Sequence, residues 1–171
     1  SAQACGLHLT KGEGGEFHPT VGVGQMVLEA INAGATKVVV GLGGSGTNDG
    51  GAGLLAALGA DADVSLDVGG IFLDGVSRVD LSIPRAYVDG VELVAATDVD
   101  NPLTGLFGAS KTFGPQKGLD EESQVLLDGF LEQWAAATDR RLALEAGAGA
   151  AGGLGFALLL LGAQRVSGIE L

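Results

Sequence analysis

Thirteen residues, GLGGSGTNDGGAG at positions 41–53, combine seven glycines with Ser45, Thr47, Asn48 and Asp49 directly after the β-branched run Val38-Val39-Val40. A strand end followed by small residues leaves backbone N–H groups uncrowded by Cβ atoms, and hydroxyl, amide and carboxylate groups at a helix start complete a site for an anion or a polyhydroxylated acid. The structural alternative is that Asn48 or Asp49 caps the next helix while the glycines permit close packing. A second group is TDVDNPLTG, positions 97–105, at the end of the run VELVAATDV. Asp98 and Asp100, at i and i+2, share a side while a strand lasts and could hold a divalent cation or accept a proton; an acidic turn ended by Asn101-Pro102 is the plainer reading. A third is GASKTFGPQKG, positions 108–118, where Lys111 and Lys117 stand in a loop of Gly, Ser and Pro. Their ammonium groups either neutralise phosphate or carboxylate, or are simply solvated.

Familiar glycine-loop chemistries fit the first group poorly. Gly41 to Gly46 matches G-x-G-x-x-G, with Asp61 twenty residues past Gly41, but that aspartate precedes a candidate strand instead of ending one, as a dinucleotide site requires. A phosphate loop of the Walker type needs Gly-Lys-Ser/Thr, and this stretch supplies Gly-Thr-Asn-Asp. His8 and His18 have no partner at metal-ligand spacing, and the single cysteine, Cys5, excludes a thiolate zinc site. Cys5 also excludes an intrachain disulfide and fits a reducing cytoplasm.

The elements that must position these groups follow from periodicity. Val23–Ala33 reads as a helix closed by Gly34, and Lys37–Gly43 as a buried strand. Asp49–Leu58 reads as a second helix and Asp61–Ser65 as a short strand. Residues 67–89, with Gly69-Gly70, Asp74-Gly75 and Pro84, carry the turn chemistry of hairpins or loops. Val91–Val99 is the other strong strand. Asp120 is an N-cap for a helix whose Leu127, Phe130, Leu131 and Trp134 form a core stripe. A last helix spans Ala150–Leu161. The pattern is α/β in one domain with a mixed sheet.

Thirty-one of 171 residues are glycine, well above the usual ~7%. They alternate with Ala, Leu and Val, as expected of tight packing in an ordered domain. Twenty-one acidic against nine basic residues give a formal charge of −12, which argues against nucleic acid and anionic membranes as partners. No apolar run approaches the roughly 18–20 residues needed to cross a bilayer.

Taken in order, GGSGTNDGGAG, TDVDNPLTG, GASKTFGPQKG and GAGAAGGLG resemble the bacterial glycerate kinase family, whose members phosphorylate D-glycerate with ATP. The family usually has Ala where this chain has Gly46, and its first loop corresponds to Pro19–Gly24. The resemblance covers nearly the whole chain. It implies ATP and Mg²⁺ as cofactors, with Gly44, Ser45, Thr47, Asn48, Asp49 and Lys111 at substrate or phosphate. It also implies Asp98, Asp100 and Lys117 in catalysis, with Mg²⁺ on Asp98 or Asp100. Family members are longer, with Pro-Asp-Ser-Phe/Tyr-Lys, Asp-Gly-Gly-Glu-Gly and Thr-Gly-Glu-Gly segments that do not occur here. The resemblance therefore implies that residues 1–171 are a central α/β domain inserted into a Rossmann-like domain, a fragment expected to have little activity alone. A dinucleotide-dependent oxidoreductase domain and a non-catalytic small-acid-binding module are the rival readings.

Overall fold

The structure, a computed structural model, describes residues 1–168. Three short strands form a parallel sheet in the order β1 (Lys37–Gly41), β4 (Glu92–Ala96), β5 (Gln164–Val166), with Val38 opposite Leu93, Gly41 opposite Ala96 and Ala96 opposite Val166. Two further strands, β2 (Asp61–Ala62) and β3 (Val79–Asp80), pair antiparallel as a separate ribbon. The chain is α/β as expected, but its parallel and antiparallel pairings lie in two sheets and not in one mixed sheet. Because β1, β4 and β5 run the same way, the loops that follow them all leave at one carboxyl end, where open α/β sheets place their ligands.

Helices α1 (Ala2–Cys5) and α2 (Leu7–Thr10) precede α3 (Val21–Asn32), which packs on α4 (Ala52–Ala57). Gly34 takes φ +93° just past α3, as its place in the sequence suggests. Helix α3 begins two residues earlier than its apolar spacing indicates, because its capping group comes from far along the chain, as described below. The expected buried strand is shorter and stands at the sheet edge: Val40 is buried, whereas Val39 is 44% exposed. The region read as hairpins or loops contains β3, paired antiparallel with β2, and also a 3₁₀ turn, Gly70–Leu73, and a short helix, α5 (Ser82–Tyr87). Pro84 lies in the first turn of α5, where its missing N–H costs no helical bond.

Helix α6 (Ala109–Phe113) leads through a 3₁₀ turn at Pro115–Lys117 to α7 (Glu121–Ala137). Asp120 caps α7 by accepting from Ser123 N–H at 2.8 Å, and Leu127, Phe130, Leu131 and Trp134 are all buried. Each such side chain contributes about 1.5–3 kcal/mol by leaving water. Helix α8 (Ala150–Leu160) buries Leu154, Phe156, Ala157, Leu158 and Leu160, so it is apolar all round and runs through the centre. Its first residues are not regular helix: Ala151, Gly152 and Gly153 all have left-handed backbone. No described helix is long and apolar enough to cross a membrane.

Candidate functional site

The glycine loop after β1 is gripped from three sides. Trp134, on α7, donates its indole N–H to Gly50 O at 3.1 Å, and Gly50 N–H donates to Gly152 O at 2.9 Å. A Cβ on Gly152 would stand 1.9 Å from Thr47 O, so only glycine lets the start of α8 lie against this loop. From below, Asp49 binds two helix starts at once. Its carboxylate accepts from Thr20 N–H at 2.8 Å, from the Thr20 hydroxyl at 2.9 Å, and from Gly51 and Gly53 N–H at 2.9 and 3.1 Å. The same Thr20 hydroxyl accepts from Leu54 N–H at 2.9 Å. One buried side-chain pair thus satisfies the Thr20 amide that precedes α3 and the Gly51, Gly53 and Leu54 amides at the start of α4. Burial pushes the Asp49 carboxyl above the ordinary carboxylate range, opposed by the bonds from Thr20, Gly53 and Gly51.

Above that base lies a cleft of about 80 Å³. Residues 42–45 form one wall, Val99 from the loop after β4 another, and Phe113, Gln116, Lys117 and Ala151 complete it. Lys117 is 1% exposed and donates from Nζ to Thr47 O at 2.6 Å, the one acceptor its three N–H groups find among the described residues. Burial lowers its pKa from 10.5 to about 8, while the charges of Asp49 and then Cys5 act in the opposite direction. Ser45, 3% exposed, has a hydroxyl oxygen without a hydrogen-bond partner. Among the described residues the N–H groups of Gly44 and Ser45 also meet no protein acceptor. A buried cation and an unpartnered hydroxyl in one small cleft, with two unbonded amides on residues that line it, have the chemistry to accept a phosphate or carboxylate.

A larger groove of about 410 Å³ runs beside β1, but apart from Ser1 and Gln3 its walls are apolar or glycine, including Met26, Val27 and Val39. It offers no such chemistry.

The sequence profile of the glycerate kinase family matches residues 1–171. The chain belongs to the glycerate kinase family. Among its relatives, Glycerate 2-kinase of Escherichia coli (strain K12) is 42% identical over 181 residues, covering 99% of this chain and 48% of the relative. Glycerate kinase of Halalkalibacterium halodurans is 39% identical with the same coverage of both. A crystal structure assigned to glycerate kinase 2 from Salmonella typhimurium LT2 superposes with a TM-score of 0.90 at 39% identity, over 99% of this chain and 48% of that one. The chain spans about half the length of the curated relatives it matches.

Within this chain, the residues singled out by sequence fall into three places. Gly44, Ser45 and Lys117 line the cleft, and Thr47 holds Lys117 through its carbonyl. Asn48 and Asp49 lie beneath it, fully buried; Asn48 donates from Nδ2 to Ser110 Oγ at 2.8 Å, leaving its Oδ1 unpartnered. Asp98, Asp100 and Lys111 are engaged elsewhere. Asp98 is exposed and accepts through Oδ1 from Ser167 Oγ at 2.6 Å and Gly168 N–H at 3.0 Å, and Asp100 forms an ion pair with Arg165. Both aspartates thus turn toward the end of β5, at the same carboxyl edge as the cleft. Lys111 pairs with Asp128 of α7 at 3.6 Å, and Asp128 also accepts from Gly105 N–H at 3.0 Å. Burial raises the Asp128 carboxyl, with the Gly105 bond and Lys111 opposing.

Thr20, Ser110 and Ala151 lie in stretches that the sequence singles out, positions 19–24, 108–118 and 147–155, but carry no assigned role there. Thr20 and Ser110 find partners 29 and 62 residues away, a separation that no local pattern signals. Ala151 was hidden in a run of small residues. No described cluster of three or more His, Cys, Asp or Glu side chains could hold a metal ion.

Proposed function

We propose that this chain is the inserted α/β domain of an ATP-dependent D-glycerate kinase, and that the cleft beside Lys117 binds the anionic end of the acid or the phosphoryl group in transfer. The observation that carries this reading is the pairing of a buried, singly bonded Lys117 ammonium with the unpartnered Ser45 hydroxyl in one cleft. Phosphoryl transfer makes few covalent demands on the protein; it needs positioning and neutralisation of spreading charge. Lys117 supplies the charge, the Gly44 and Ser45 amides direct oxygen atoms toward it, and Thr47 keeps the ammonium from swinging away. Leu42, Val99 and Phe113 limit water, which strengthens the electrostatic attraction.

Size assigns the remaining chemistry. Pockets for drug-sized ligands occupy about 300–1,000 Å³. At about 80 Å³ this cleft is well below that range, which favours a phosphoryl group or a small acid as its occupant. The dinucleotide reading of the glycine loop is disfavoured for the same reason. ATP's nucleoside is held by sequence outside these residues, on the Rossmann-like flanking domain, and use of ATP places the reaction in the cytoplasm.

Asp98 is the residue that would hold Mg²⁺. Its Oδ2 has no hydrogen-bond partner among the described residues, whereas Asp100 is already neutralised by Arg165. A single carboxylate with water and phosphate oxygens is an ordinary Mg²⁺ environment, and the ion supplies further neutralisation of the phosphate. Asp100 then fixes the loop through Arg165. Asn48 secures α6 through Ser110, and α6 leads to Lys117.

The name of the 42% identical Escherichia coli relative supports attack by the 2-hydroxyl. Incubating the full-length protein with D-glycerate and MgATP should yield 2-phosphoglycerate by phosphorus NMR. Appearance of 3-phosphoglycerate alone would refute the regiochemistry, and absence of any phosphoglycerate would refute the assigned reaction.

A further inference from the structure

Only two residues other than glycine have left-handed backbone among those described: Lys11 at φ +56° and Ala151 at φ +52°. Lys11 is the C-cap of α2, a place where that conformation closes a helix and its N–H returns to Leu7 O. Ala151 closes nothing. It opens α8, is followed by two left-handed glycines, and lines the cleft with Ser45 and Lys117. Glycine adopts this backbone without a Cβ clash, so local conformation favours glycine at position 151. The chain keeps a methyl there.

Its neighbours hold that methyl in place. Gly152 O accepts from Gly50 N–H, and Cβ atoms on Gly152 and Gly153 would stand 1.9 Å from Thr47 O and 2.4 Å from Gly50 Cα. The turn therefore abuts the glycine loop with no room to shift. Ala151 itself packs against the core and is only partly buried. A wall that cannot retreat is what a small cleft needs to tell one acid from another a methyl group larger.

We propose that Ala151 is a specificity-determining residue: its rigidly held methyl sets the width of the cleft and excludes acids bulkier than glycerate. This rests on the reading of the cleft as the anion site of glycerate phosphorylation. One methyl or methylene in a tight pocket discriminates by about 10–200-fold.

The test compares Ala151→Gly with wild type in the full-length protein, measuring kcat/KM for D-glycerate and for its C2-methyl and C3-methyl homologues. The expected result is that Ala151→Gly raises kcat/KM of at least one homologue relative to glycerate by tenfold, while Ala151→Ser, which keeps the Cβ, stays near wild type. A relative gain below threefold for both homologues overturns the proposal, and a gain of threefold or more supports it. A lowered Tm with unchanged selectivity belongs to the overturning results, since the methyl would then serve packing alone. Lys117→Met, assayed in parallel, separates the two levels: if it retains wild-type activity, the anion-site reading itself fails, whatever Ala151→Gly does.

Discussion

Lys117 reaches the cleft at the cost of most of its hydration, and this has consequences for pH that can be worked out with sign. Its pKa, lowered by burial from 10.5 to about 8, means the folded protein releases this proton before the unfolded chain does. Below about pH 8 both states carry the charge, and the folded state bears the net cost of holding it buried, about 3 kcal/mol. Between about pH 8 and 10.5 the unfolded state binds more protons, so this penalty is relieved as pH rises. Activity moves the other way, because only the ammonium neutralises phosphate. The kcat/KM profile of the full-length protein should therefore fall above an apparent pKa of about 8. In Lys117→Arg, whose guanidinium stays charged, that alkaline limb should disappear from the range below about pH 10. An unchanged limb in the arginine variant would show that another group titrates.

At the scale of elements, the site depends on how helix starts and strand ends meet. Asp49 serves α3 and α4 together, so its removal leaves Thr20, Gly51 and Gly53 amides buried without their acceptor. Each such loss costs about 1 kcal/mol or more, and Asp49→Ala should destabilise by about 3 kcal/mol, a Tm fall of roughly 6–12 °C. A Tm within 1 °C of wild type would contradict the capping role. This also explains what could be read from sequence. Helix α7 was readable because its cap, Asp120, and its stripe from Leu127 to Trp134 are local, and the structure keeps both. The glycine loop was readable as polar chemistry at a helix start, yet the division of labour within it was not. Ser45 faces the cleft and Asp49 the helix ends because of Thr20 and Lys117, 29 and 70 residues from their respective partners in the loop. Strand β5 is three residues, Gln164–Val166, too short for alternation to show, and α5 was concealed by a proline that sits harmlessly in its first turn. The edge position of β1 is likewise a property of the sheet, invisible in the run Val38-Val39-Val40.

At the scale of the whole molecule, a chain with net charge −12 buries the Lys117 cation in the cleft proposed to bind an anion. Distant acidic residues are screened beyond about 8–10 Å, whereas Lys117 acts at contact distance inside an apolar wall. The second lysine suggested by sequence, Lys111, is committed to Asp128 and serves the packing of α6 on α7. The parallel sheet brings the loops after β1, β4 and β5 to one edge, so Asp98 is available at the rim while Lys117 lies within. The proposed nucleoside site lies outside this chain, which covers 48% of its Escherichia coli relative. Whether this domain supplies the proposed anion site through Lys117 is decided by kcat/KM for D-glycerate in the full-length protein carrying Lys117→Met, with Lys111→Met as the comparison. Loss of one buried donor to a reacting anion costs about 10²–10³ in rate, so Lys117→Met should fall at least 100-fold without a lower Tm, and Lys111→Met by less than about fivefold. Near-normal kcat/KM in Lys117→Met, or an equal loss in both variants, would show that Lys117 does not neutralise the reacting anion.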